Sequence, residues 1–178
     1  MAHPAPRRIA IMGAPGAGKS TLIEELAARG WRTVPEAART ILQQPGGMRL
    51  RAEDPLGFAH AMLEADQAAF ESVAEGETVI FDRGFCDIVA FLRIEGNVVP
   101  DRIDEACREC RFDAPVLHAS AWRDIYRQDD ERIQTWEEAQ ESDRQNVRAW
   151  QDYGYAPVTL PLVNVGGRAD WVEALLKA

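Results

Sequence analysis

Gly13-Ala14-Pro15-Gly16-Ala17-Gly18-Lys19-Ser20 is the stretch of this sequence with the clearest chemical capacity. Glycines at 13, 16 and 18 free the backbone to turn several N–H groups toward one centre, as an anion with many oxygens requires. The lysine and hydroxyl at its end add a mobile cation and a hard oxygen ligand. Gly-x-x-x-x-Gly-Lys-Ser is the pattern that cradles the phosphates of a nucleoside triphosphate. The expected binding set is Gly13, Ala14, Pro15, Gly16, Ala17, Gly18, Lys19, Ser20 and Thr21, with Mg·ATP as ligand, Lys19 on the β- and γ-phosphates and the Ser20 hydroxyl on Mg²⁺. Lys19 is expected to be an exposed loop cation rather than a packing residue.

A second chemical element is Asp82-Arg83, where a carboxylate ends the apolar run Val79-Ile80-Phe81. Asp82 is placed to hold Mg²⁺ through water or to take the proton of an attacking hydroxyl; the structural alternative is a cap on a helix beginning near Phe85. Arg83 is a candidate for binding an anionic group. Pro35-Glu36-Ala37-Ala38-Arg39 brings another carboxylate and cation to the same rim. Glu36 reads equally as an acceptor-side base and as a first-turn carboxylate favoured by the helix dipole. The third element, Tyr126 to Gln134, is a charged stretch that reads as a lid, with arginines at 127 and 132 to close over a transferring phosphoryl group.

These residues need elements to hold them. Apolar runs at Ile9–Met12, Val79–Phe81 and Val116–Leu117 predict central parallel strands, and the proline-containing Thr33–Glu36 and Val158–Leu162 predict outer ones. Between them lie amphipathic patterns: Leu22, Ile23, Leu26 and Ala27 before Gly30; Phe58, Met62, Ala65 and Ala69 after the cap pair Asp54-Pro55; and Trp136 to Tyr153 after a capping box at Thr135-Trp136-Glu137-Glu138. Strands alternating with helices predict an α/β domain with a parallel sheet. Gln43 to Leu50 contains Pro-Gly-Gly and reads as a flexible connection.

At 178 residues, with 46% apolar and 28% charged residues, the chain fits one domain, 1–178. A net charge of −9 without a basic run argues against nucleic acid as partner. No apolar segment is long enough for a membrane span or signal sequence, so a cytoplasmic location is expected. Cys86, Cys107 and Cys110 are an odd set without zinc-finger spacing and read as thiols; Cys107-x-x-Cys110 falls in a helical stretch after Pro100.

Taken over Gly13–Thr21, Pro35–Arg39, Phe81–Gly84 and Gln128–Thr135, the chain resembles the nucleoside and nucleotide kinase-like group of phosphate-loop proteins. Its nearest likeness there is to bacterial ATPases labelled AAA that look like ribosylnicotinamide kinase and thymidylate kinase domains. The resemblance implies a three-layer phosphate-loop fold, a five-stranded parallel sheet in the order 2-3-1-4-5 with helices on both faces, a lid carrying Arg127 and Arg132, and adenine near Asn164-Val165-Gly166-Gly167-Arg168. Hexameric AAA machines pair Asp with Glu at the second strand motif, whereas Asp82 is followed here by Arg83, similar to the pair that small-molecule kinases set against the acceptor. The activity implied is that of a Mg·ATP-dependent phosphotransferase, monomer or homodimer, acting on a small acceptor such as a nucleoside or nucleotide. In that reading Lys19, Asp82, Glu36, Arg127 and Arg132 are catalytic, Arg39 and Arg83 bind substrate, and Ser20 and Asp82 serve the metal. The alternative is a regulatory triphosphate-binding protein with slow ATPase activity.

Overall fold

Burial along β1 (Arg7–Gly13) organises the molecule: Ile9 and Ile11 face one side, Ala10 and Met12 the other, and all four are fully buried. A strand covered on both faces belongs at the centre of a parallel sheet. In the computed structural model, which describes residues 5–126 and 135–177, β1 lies between β3 (Thr78–Asp82) and β4 (Leu117–Ala119), while β2 (Arg32–Val34) and β5 (Val158–Thr159) form the edges. The order is β2-β3-β1-β4-β5 and every pair is parallel, with Ile9 opposite Ile80 and Ile11 opposite Leu117.

Eight helices complete the described elements: α1 (Lys19–Ala28), α2 (Ala37–Leu42), α3 (Gly47–Glu53), α4 (Pro55–Glu71), α5 (Phe85–Ile94), α6 (Asp101–Glu109), α7 (Trp136–Asp152) and α8 (Val165–Lys177). On one face, Ile9, Ile11, Ile80 and Leu117 pack against Leu22 and Leu26 of α1 and Val172 of α8. On the other, Met12, Val79 and Phe81 pack against α4, α5 and α7. Phe112 centres that second layer, its ring 5.3 Å from Phe81, 5.4 Å from Phe70 and 5.7 Å from Trp150 between centroids. Cys107 is buried on α6 and Cys110 ends that helix.

The caps anticipated from sequence are made. Asp54 Oδ1 accepts from the Gly57 amide at 2.8 Å, and Thr135 and Glu138 exchange bonds of 3.2 and 2.7 Å at the start of α7. Several boundaries differ. β2 stops at Val34, so Pro35 and Glu36 leave the sheet and Glu36 becomes the residue before α2. β4 runs from Leu117 to Ala119 rather than over Val116–Leu117, and β5 is only Val158–Thr159, because Pro161 has no amide to continue the ladder. Gln43–Leu50 is not an open connection. Gly46, at φ 84°, makes a tight turn, and α3 begins at Gly47, whose missing side chain lets it sit on the Ile41 carbonyl. Among the described residues, no helix is long and apolar enough to cross a membrane.

Gly13 joins the sheet to the phosphate loop. Its φ is 130°, and a Cβ there would lie 2.1 Å from the Ala119 carbonyl oxygen, which accepts from the Ala14 amide at 3.1 Å. Gly13→Ala must break that β1–β4 contact or distort both strand ends. The expected loss is at least about 3 kcal/mol, roughly 6–12 °C in a thermal melt of a chain this size; an unchanged melting temperature would show that the approach is not required.

Candidate functional site

The phosphate loop spans the end of β1 and the start of α1, at the carboxyl edge of the sheet where open α/β folds collect ligands. Gly18 takes a left-handed conformation, φ 78°, immediately before α1, leaving the first-turn amides of that helix unpaired by any side chain. Ser20 is partly exposed and Thr21 exposed, while Ala14 and Ala17 are buried beneath the loop. Lys19 departs from the sequence expectation: it is 5% exposed, and its ammonium donates to the carbonyls of Gly13 at 3.2 Å and Ala14 at 2.6 Å. The loop curls around its own cation. Burial, with help from the Arg83 charge, lowers its pKa to about 8, while Asp82, Glu36 and Asp87 pull the other way.

Asp82 ends β3 with 6% exposure, and its Oδ1 has no hydrogen-bond partner. Burial raises its pKa to about 6 against the opposing charge of Lys19. It does not cap the following helix: Gly84 holds that position, and Asp87, one turn on, accepts from the Gly84 amide at 3.1 Å. Glu36 likewise makes no side-chain cap on α2. Its Oε1 accepts instead from Arg83 Nε at 2.9 Å. Burial pushes the Glu36 pKa up, but the charges of Arg83, Lys19 and Arg39 outweigh it and hold the group below its ordinary value.

Arg83 is the hinge of this arrangement. It has φ 75°, a conformation that costs a non-glycine residue of order 1–3 kcal/mol, and its amide is bound to the Ile11 carbonyl at 2.9 Å. The turn returns the guanidinium over the loop, where Nη1 reaches the Gly13 carbonyl at 3.1 Å and Asp87 Oδ1 at 3.0 Å. Burial opposes its charge, but Glu36, Asp87 and Asp82 more than offset that and keep it firmly protonated. Arg39 joins Ser20, Glu36 and Asp82 in lining an open cleft beside α1. Arg127 and Arg132, with the expected lid except Tyr126, lie outside the described residues.

Two carboxyl groups here are not singled out by sequence patterns of the kind that found Asp82. Asp87 is buried and binds Arg83, the Gly84 amide and Trp150 Nε1, the last at 3.0 Å; burial raises its pKa against those bonds. Its signal is an acidic residue at the third position of a helix otherwise apolar through Leu92. Asp66 is half-buried on α4, and desolvation first, then the charges of Asp87 and Glu36, raises its pKa to about 8. Asn164–Arg168, expected as an adenine-bordering loop, is different in kind. Asn164 Oδ1 accepts from the Gly167 amide at 2.8 Å, so α8 begins at Val165 and both glycines are helical. Arg168 is 2% exposed and braces the phosphate loop, donating to the Ala17 carbonyl at 2.7 Å and the Pro161 carbonyl at 3.0 Å under the Trp122 ring.

Among the described residues, no group of three or more His, Cys, Asp or Glu side chains is arranged to hold a metal ion by itself. Ser20 and the unpartnered Asp82 oxygen are the oxygen donors that a magnesium ion could share with phosphate, which is how Mg²⁺ is commonly held.

A family model described as an AAA domain matches residues 8–168. No curated protein matches the chain by sequence. Among solved structures, deoxyadenosine kinase from M. mycoides with products dCMP and a flexible dCDP bound is similar at 18% identity and a TM-score of 0.69, over 96% of this chain and 98% of that one. The same enzyme with bound dATP gives 16% identity and a TM-score of 0.67, over 96% and 100%. Thymidylate kinase from Candida albicans gives 13% identity and a TM-score of 0.69, over 99% and 92%. At such identities the likeness is one of fold: a phosphate-loop domain built like nucleoside and nucleotide kinases.

Lys19 links site and stability in opposite senses. An ammonium buried at 5% exposure destabilises the ligand-free fold, yet it is the cation that the loop pattern assigns to a triphosphate. Lys19→Met is expected to abolish Mg·ATP binding in calorimetry while raising the melting temperature at pH 7. Because the folded pKa, about 8, is below the unfolded 10.5, the unfolded chain binds more protons between those values and the stability of the natural protein rises with pH across that window. The advantage of the variant should therefore shrink between pH 8 and 10; a gap that stays constant in urea melts would remove burial of the charge as its cause.

Proposed function

The chain belongs to the AAA domain family, and from that premise and the geometry of its site we propose that it is a Mg·ATP-dependent phosphotransferase acting on a small metabolite such as a nucleoside or nucleotide. The observation that carries this reading is Glu36: a carboxylate that caps nothing and is held by Arg83 at the mouth of the phosphate loop. A hydrolytic motor needs its glutamate after Asp82 to orient water, and there the chain has Arg83.

In this mechanism the acceptor hydroxyl enters beside Glu36, which takes its proton as the oxygen bonds to the γ-phosphorus. The bond from that phosphorus to the β,γ-bridging oxygen breaks and ADP departs. Lys19 moves from the Gly13 and Ala14 carbonyls to the phosphates, where its charge offsets the charge spread over the transferring group. Ser20 and Asp82 are the residues that would hold Mg²⁺, which when bound neutralises charge on the β- and γ-phosphates. Arg83 keeps Glu36 ionised and aimed, and Arg127 and Arg132 are proposed to close over the site from the lid.

ADP formation measured with and without nucleosides, nucleotides and small alcohols tests the proposal. The right acceptor should raise turnover at least about tenfold over hydrolysis; if none in the panel does, the reading fails in favour of a slow ATPase. Glu36→Gln and Asp82→Asn are each expected to lower turnover by roughly 10² or more. Only Asp82→Asn should raise the Mg²⁺ concentration needed for half-maximal rate, and its melting temperature should hold or rise, since a buried carboxyl with an unpartnered oxygen becomes a neutral amide. Near-normal turnover in either variant removes that residue from the mechanism.

A further inference from the structure

Cations hold three carbonyls of the phosphate loop. Lys19 donates to those of Gly13 and Ala14, Arg83 also donates to that of Gly13, and Arg168 donates to that of Ala17 at 2.7 Å. The peptides here are trans, so each carbonyl and the amide that follows it point in opposite directions, and fixing one aims the other. Beyond the Gly13 carbonyl, the Ala14 amide donates to Ala119 at 3.1 Å; beyond the Ala14 carbonyl stands Pro15, which has no amide. The Ala17–Gly18 peptide differs from both. Its carbonyl is held, and among the described residues the Gly18 amide donates to no backbone carbonyl, so that N–H is available to a ligand.

Sterics alone do not fix that peptide. Gly16 and Gly18, on either side of Ala17, have φ 72° and 78°, and glycine lets an adjoining peptide turn over at little cost. Arg168 is what holds it, and Arg168 is itself held: it is 2% exposed, its Nε donates to the Pro161 carbonyl at 3.0 Å, and its guanidinium lies 4.8 Å from the centre of the Trp122 ring. Its Nη2 is buried without a hydrogen-bond partner, and among the described residues no carboxylate pairs with it; burial lowers its pKa. A buried cation without an acid beside it is costly unless an anion comes near, and the anion that this loop pattern takes is a polyphosphate.

We propose that Arg168 is a positioning residue for nucleotide binding: it holds the Ala17 carbonyl so that the Gly18 N–H faces the β-phosphate, and it sets a positive charge behind that amide. The inference rests on the nucleotide binding in the reading above and not on the transfer step. Arg168 acts through the loop and touches no reacting atom. Its role makes the affinity of the loop depend on α8, 151 positions away in the chain, and on the Trp122 segment that follows β4.

Calorimetry on the full chain in Mg²⁺, with ADP and inorganic pyrophosphate as probes, tests this together with the Gly18 amide signal in proton–nitrogen NMR spectra. The natural protein should bind both, and its Gly18 proton should move downfield with either, as a proton donated to a phosphate oxygen does. Arg168→Met, similar in length but without donor or charge, should weaken both probes by the same factor, about 10- to 100-fold, the scale of a hydrogen bond to a charged group. Its Gly18 proton should move less. Arg168→Lys restores one donor and should bind both probes within about 5-fold of the natural protein. A purely structural role would lower the melting temperature and the number of sites titrated but leave Kd unchanged, and that result overturns the proposal. So does loss of ADP affinity with pyrophosphate unaffected, which marks contact with the base or sugar, and so does Arg168→Lys binding no better than Arg168→Met. A Gly18 proton unmoved by pyrophosphate in the natural protein overturns it even if a variant fails to fold. Should the natural protein bind neither probe, the nucleotide-binding reading falls with the proposal; with binding intact, the other adverse results sink the proposal alone.

Discussion

Everything at the carboxyl edge of the sheet is arranged around a buried ammonium. Lys19 is almost out of water, and charge so placed is tolerated only where oxygens surround it. Two come from its own loop, the carbonyls of Gly13 and Ala14. The carboxylates of Asp82, Glu36 and Asp87 supply the rest through space. Those acids in turn need a second cation, and Arg83 supplies it, bridging Glu36, Asp87 and the Gly13 carbonyl. The result is a balance of charges within the protein, two cations set among three acids.

That balance depends on backbone that is hard to make. Gly13 must approach Ala119 more closely than any side chain permits, and Arg83 must turn through a left-handed conformation despite its side chain. Both strained points lie at the ends of central strands, β1 and β3, whose two buried faces give them little freedom to relax. Packing energy from the two core layers thus holds the geometry that the site requires. Arg168 extends the same logic to the far side of the loop, where α8 and the Trp122 segment meet the Ala17 carbonyl.

The stems of the charged stretch between Tyr126 and Thr135 are also tied to the sheet. His118 on β4 shares a 2.9 Å hydrogen bond with Asp143 of α7, and Asp143 accepts from the Ala121 amide at 3.2 Å. Tyr126 and Trp136, one on each side of the stretch, stack edge to face at 5.4 Å.

The loop motif, the central strands, the caps at Asp54 and Thr135 and the order of helices and strands were legible because each is a local pattern: glycine where φ must be positive, apolar runs where both faces are covered, acceptors where helix amides need them. Local patterns also located Asp82, Arg83 and Glu36 at one rim, but left Asp82 and Glu36 with more than one role. Only the tertiary structure removed the cap read for Asp82, by giving α5 to Gly84 and Asp87, and paired Glu36 with Arg83. It also buried Lys19, turned Asn164 into the start of a helix, and brought Asp66 and Asp87 from separate helices toward Glu36. Burial and charge are properties of what surrounds a group, and those surroundings come from residues as far apart as 19, 36, 66, 83 and 150, which chain order does not place side by side.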